Sequence, residues 1–182
     1  SVLLGLLAGA GFAEKIELGP GKTLLLTLPP AWTATEAPAR PPGFPELGRS
    51  VRYATRSGSN DPVLITVLPV PDDRFSDPEN LRAVAEIAAQ QFVTGSVEGK
   101  VSLKEAKFGG TAGFTATFTD ARLVGKPSIK EDYKAMTACF IYLGERIMVT
   151  ATIFTDEIDG KAYTEALRIL KSMSLQLPDD KI

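Results

Sequence analysis

The sequence predicts an α+β fold: an antiparallel β-sheet of hairpins covered by two main helices. Three observations carry this. Strand-like runs rich in β-branched and aromatic residues come in pairs, and each pair is joined by a turn signal. Two amphipathic helical stretches follow the second and the fourth pair. Strands do not alternate singly with helices, as parallel βαβ units would require.

The chain begins with SVLLGLLAGAGFA, an apolar run ending in small residues. Gly11 and Ala13 occupy the minus-three and minus-one places of a cleavage site before Glu14, which matches the end of a secretory signal peptide. A basic n-region and a starting Met are missing, so residues 1–13 read as the remnant of a leader truncated at its N-terminus. The alternative is a buried N-terminal helix or strand. The run is too short for a bilayer, which needs about 20 apolar residues. Residues 14–182 read as a single domain, long enough to bury roughly 70% of its unfolded surface.

EKIELGPGKTLLLTLPPAW holds the first hairpin, turning at Gly19-Pro20-Gly21, with Leu24, Leu26 and Leu28 on one face of its second strand. Pro29-Pro30 stops that strand before Trp32, and TATEAPARPPGFPELG reads as a stiff Pro-rich connection. SVRYATR and VLITVLPV, separated by SGSNDP, form the second hairpin. SDPENLRAVAEIAAQQFV is a helix: Ser76 or Asp77 caps it, Pro78 suits its first turn, and Glu79 stands where a capping box needs it. Leu81, Val84, Ala85, Ala88 and Phe92 make its apolar stripe, and Gly95 ends it.

The third hairpin turns at Gly109-Gly110, and Phe114, Ala116 and Phe118 alternate with threonines in its second strand. A charged loop, DARLVGKPSIKE, leads to the fourth hairpin, YKAMTACFIY and RIMVTATIF, with Gly144 giving its reversal conformational freedom. Ile147, Val149, Ala151 and Ile153 share one face, while Met148 and Phe154 keep the other partly apolar, so this strand belongs well inside a sheet. KAYTEALRILKSM closes the chain as a helix with Tyr163, Ala166, Leu167, Leu170 and Met173 on one stripe.

Three local patterns resemble the PsbP-like superfamily. They are Leu24-x-Leu26-x-Leu28-Pro29-Pro30-Ala31-Trp32, Gly110-Thr111-Ala112-Gly113-Phe114 entering a central strand, and the helix end Ile169-Leu170-Lys171-Ser172-Met173. The resemblance implies an α/β/α sandwich around an antiparallel sheet. It implies partner binding rather than a particular activity.

The sequence shows no catalytic signature. It contains no histidine, which removes Ser-His and Cys-His pairs and His-ligated zinc. Nucleophile-elbow, Rossmann and P-loop patterns are absent. Asp156-Glu157-Ile158-Asp159-Gly160 does not fit a calcium loop, because Thr155 and Ala166 stand at its first and twelfth positions. Asp72, Asp73 and Asp77 read as a solvated helix entry. The single cysteine, Cys139, lies mid-strand and reads as a small buried hydrophobe. With a net charge of −2 and no basic run, nucleic acid is not an expected partner.

The expectation is therefore an exported, non-enzymatic binding or assembly module of the cell envelope. It has no cofactor, metal, transmembrane span or lipid anchor, and its partner is an envelope protein contacted through the Pro-rich 37–48 loop. Trp32, Phe44, Tyr53 and Phe75, near loops or strand ends, are the candidate contact residues, with core packing as the alternative for Trp32. Two rival functions remain open: a small-ligand carrier with a pocket between helix and sheet, and a His-free hydrolase using carboxylates or a Ser-Lys pair.

Overall fold

The structure is a computed structural model that describes residues 11–19, 21–35, 48–57, 61–130 and 132–178. The first hairpin pairs Phe12–Gly19 (β1) with Lys22–Leu28 (β2), setting Ile16 opposite Leu24. The alternation in β2 buries Leu24, Leu26 and Leu28 completely on one face. β1 starts at Phe12, so Phe12 and Ala13 are paired strand residues.

Trp32–Thr35 forms a short strand (β3) antiparallel to Arg49–Thr55 (β4), which pairs in turn with Val63–Pro69 (β5). The expected connection after Trp32 thus gives up its first three residues to a strand. The sequence could not show this, because pairing with β4 defines β3. The helix Pro78–Ala89 (α1) is capped by Asp77, whose Oδ1 accepts from the Glu79 N–H at 2.9 Å. Ser76 instead donates to the Asp73 carbonyl, so the expected capping box is an Asp cap.

Lys104–Phe108 (β6), Thr111–Thr119 (β7), Ala135–Gly144 (β8) and Ile147–Thr155 (β9) form one antiparallel meander. In the β8–β9 turn, Glu145 and Arg146 share the left-handed conformation with Gly144. The glycine is therefore not the only residue making that reversal. Lys161–Lys171 (α2) follows, and Ser174–Gln176 (β10) returns to pair with β2.

The strands make two sheets rather than one. The larger runs β3-β4-β5-β9-β8-β7-β6, and the smaller runs β1-β2-β10. β5 joins the two meanders by pairing with β9, Ile65 opposite Ala151, which places β9 in the middle. On one face Val63, Ile65, Val149, Ile153, Cys139, Ile141 and Phe108 pack with Tyr163, Ala166, Ile169 and Leu170 of α2 and with the leucines of β2. On the other face Phe114, Phe118, Ala138 and Phe140 pack under Leu81, Ala85 and Ala89 of α1. Each large apolar side chain fully buried here is worth about 1.5–3 kcal/mol. The layers are α1, the seven-stranded sheet, then α2 beside the small sheet.

Candidate functional site

α1 covers only the β7–β8 part of its face of the large sheet, and a cleft opens where the helix ends. Ala89 runs into a 3-10 turn, Gln90–Phe92, and Gly95 at φ 88° reverses the chain. The returning segment is fastened to the end of β7: Val97 N–H donates to the Thr119 carbonyl and Ala121 N–H to that of Gly95, each at 2.9 Å. The Glu98 carboxylate accepts from the Thr119 N–H at 2.8 Å and its hydroxyl at 2.9 Å. Burial pushes the Glu98 carboxyl up, but these hydrogen bonds outweigh it and hold the group below its usual range.

Two aromatic pairs wall the cleft. Phe92 and Phe118 lie with ring centroids 5.8 Å apart, and Tyr133 and Phe154 with theirs 4.8 Å apart. Met136 lies between them on β8, and the volume is about 320 Å³. Phe118 is the last residue but one of β7, Tyr133 precedes β8 and Phe154 is the last residue but one of β9. Because these strands are antiparallel neighbours, the three positions meet at one end of the sheet. The rim is polar, with Gln91, Thr94, Ser96, Asp120 and Asp132.

The rim charges are engaged. Arg122 forks onto Asp120, Nη2 to Oδ2 at 2.6 Å and Nε to Oδ1 at 3.1 Å. That fork, with the Arg122 N–H, holds the Asp120 carboxyl below its usual range. Outside the lining, Arg52 of β4 donates from Nη2 to the hydroxyl of the wall residue Tyr133 at 3.1 Å. Among the described residues no group of three His, Cys, Asp or Glu side chains is placed to hold a metal ion. Asp72 forks with Arg74, Asp73 accepts the Tyr142 hydroxyl, and Asp156 accepts the Lys134 N–H. Those acids organise turns.

The residues expected to touch a partner are not brought together. Trp32 and Tyr53 are both fully buried on the α2 side of the sheet. Trp32 Nε1 donates to Glu165, and the Tyr53 hydroxyl, pushed up chiefly by burial, has no hydrogen-bond partner among the described residues. Phe75 is half-buried near Tyr142, their centroids 6.5 Å apart, at the opposite end of α1. Phe44 and most of the 37–48 loop lie outside the described residues. Phe92, Phe118, Tyr133 and Phe154 were not singled out by sequence reasoning, since each reads locally as a strand or helix residue. Only the strand pairing reveals the cluster.

No protein-family model matches the chain, and no curated protein matches it in sequence. Solved structures do. Cyanobacterial PsbP (CyanoP) from Synechocystis sp. PCC 6803 superposes with a TM-score of 0.50 and 12% identity, over 95% of this chain and 96% of that one. The Saccharomyces cerevisiae Ran-binding protein Mog1p gives 0.47 and 15% identity over 90% and 95% of the two chains. A Bacteroides thetaiotaomicron protein gives 0.47 and 13% identity, covering 87% of this chain and 46% of that one. The architecture is an α+β sandwich of the PsbP-like kind, as the strand and corner motifs implied.

Proposed function

We propose that this chain is a non-enzymatic binding module of the cell envelope, exported by its N-terminal leader, which grips a partner protein through the aromatic cleft beyond α1. The observation that carries the reading is the convergence of Phe92, Phe118, Tyr133 and Phe154 on one open cleft. Aromatic-lined hollows with a polar rim are what a partner's anchor side chain needs. The surrounding charges are committed to structure: Asp120 to Arg122 and Glu98 to Thr119. Among the described residues no helix is long and apolar enough to cross a membrane.

The test is chemical cross-linking in envelope extract with the wild-type chain and with Phe92→Ala and Tyr133→Ala, both half-buried residues. Loss of the same cross-linked partner in both variants, with melting temperature held, supports the reading. Undiminished recovery removes the cleft from the function. The location has its own test, the N-terminal mass of the protein recovered from cells that make it with its leader. A first residue of Glu14 is expected, which shortens β1 by Phe12 and Ala13 and leaves it to begin opposite Leu26, and a chain retaining residues 11–13 overturns that cleavage site.

The cleft volume of about 320 Å³ favours one second reading. It falls at the small end of the range for small-molecule pockets. A carrier would show a bound mass in native mass spectrometry after gentle purification.

A further inference from the structure

Arg52 lies on β4, on the face of the large sheet that carries the cleft. Its register partner is Leu64, which in turn faces Thr152 on β9, two residues before Phe154. The side chain is half-buried and reaches the Tyr133 hydroxyl at 3.1 Å. A guanidinium has five N–H donors and is always charged, so burying part of it is costly unless a carboxylate or several acceptors answer it. Three other arginines have a carboxylate: Arg74 forks onto Asp72, Arg122 onto Asp120, and Arg146 reaches Asp73. Arg49 donates to one carbonyl, that of Glu17, and Arg82 lies over the Phe114 ring. For Arg52 the Tyr133 hydroxyl is the side-chain hydrogen-bond acceptor, and no carboxylate pairs with it among the described residues.

Tyr133 joins this cation to the cleft. Its ring packs tilted against Phe154 as one wall, while its oxygen accepts from Arg52 and keeps its own O–H to donate. Arg52 does not itself line the hollow and is joined to it through Tyr133, whose hydroxyl it binds, so the two form adjacent donors beside that wall. The acids of the rim are Asp120, which Arg122 neutralises, and Asp132, the residue before Tyr133.

From this juxtaposition we propose that the cleft recognises a protein segment in which an aromatic side chain stands next to a carboxylate. The ring fills the hollow and the carboxylate is held by Arg52 and Tyr133. This rests on the cleft being the partner site and adds the chemistry that selects the partner. A charge-assisted pair of this kind is stronger than a neutral hydrogen bond and discriminates by charge and geometry together.

The experiment selects a library of short linear peptides against the full chain and measures the enriched peptides by fluorescence anisotropy. Enrichment of Asp or Glu beside Phe, Tyr or Trp is expected, with backbone amide NMR shifts at Gly95, Thr119 and Phe154. Changing the peptide's carboxylate to its amide should weaken binding to the wild type by about tenfold and flatten its salt dependence. Because that comparison uses only the wild-type protein, it stands even if Arg52→Gln fails to fold. If Arg52→Gln folds, it should bind acid and amide peptides equally, and Arg52→Lys should restore part of the difference.

Peptides that fill the cleft without acidic preference overturn the Arg52 role and leave the cleft as partner site. If no peptide shifts the cleft resonances, both proposals fall. Binding of free 3-phenylpropionate there, with no peptide binding, overturns the protein segment in favour of a small aromatic acid.

Discussion

The Trp32 indole Nε1 donates to the Glu165 carboxylate at 2.8 Å, joining β3 to α2 across 133 residues of sequence. The ring is fully buried and the carboxylate nearly so, which makes this bond the tie between the edge of the large sheet and the closing helix.

Replacing Trp32 by Phe should therefore cost about 1–3 kcal/mol, because Glu165 loses its donor in a poorly solvated position. Glu165→Gln keeps an acceptor oxygen and should cost less. Denaturant titration of both variants checks the order. Equal costs would mean that the indole acts through its volume alone.

Gly109 and Gly110 form the β6–β7 turn, both in the left-handed region, yet they differ in surroundings. A Cβ on Gly109 would lie 1.7 Å from the Met173 carbonyl oxygen, whereas one on Gly110 would meet nothing within 4 Å. Gly110→Ala should cost about 1–2 kcal/mol for its backbone conformation alone. Gly109→Ala should cost clearly more, since the Gly109 N–H also binds the Lys171 carbonyl at 3.0 Å. Thermal melts that rank the two the other way round would refute this contact.

Burial pushes the Cys139 thiol from 9.0 up to about 12. Below pH 9.0 both folded and unfolded chains keep the thiol protonated, and its effect on stability is flat. Above it the unfolded chain releases a proton that the folded chain holds. Stability then falls between about pH 9 and 12, by roughly 1.4 kcal/mol per unit from this group. Tyr53, raised mainly by burial and further by Glu14 against the opposing Arg49, adds loss in the same direction at higher pH. A Cys139→Ala variant should show a shallower alkaline decline, and an unchanged slope would exclude the thiol. The native thiol should also resist Ellman's reagent until the chain unfolds.

Thr137, almost fully buried, shares hydrogen bonds with the Thr117 hydroxyl at 2.9 Å and the Tyr163 hydroxyl at 3.0 Å. This small polar chain links β7, β8 and α2 inside an apolar layer. Thr137→Val should cost about 1–3 kcal/mol by stranding its neighbours, and Tyr163→Phe less. Their double-mutant cycle should show positive coupling, because the second change removes the group the first one strands. Strict additivity would mean the two hydroxyls do not interact.

The hairpins, both helices and the Trp32 corner were legible because each is written in short-range patterns: alternation in Leu24–Leu28, a cap at Asp77, adjacent glycines at 109 and 110. β3 and β10 were not, for Thr33–Thr35 and Ser174–Gln176 are too short to announce themselves and become strands only by pairing with β4 and β2. The candidate site was less legible still. Trp32 and Tyr53, near strand ends, were candidates for partner contact, with core packing the alternative for Trp32, and both fill the core. A strand end is buried or open according to what lies above it, which local sequence does not record.

By itself, then, the sequence determined the α+β class, the hairpin order and the faces of α1 and α2 that turn inward. Only the tertiary structure decided that the strands divide into two sheets, that β5 joins β9, and that Phe92, Phe118, Tyr133, Phe154 and Arg52 gather at one end. The physical reason is range. Capping, turns and amphipathic periods act between residues a few positions apart, whereas strand order is set by which apolar faces can be buried together.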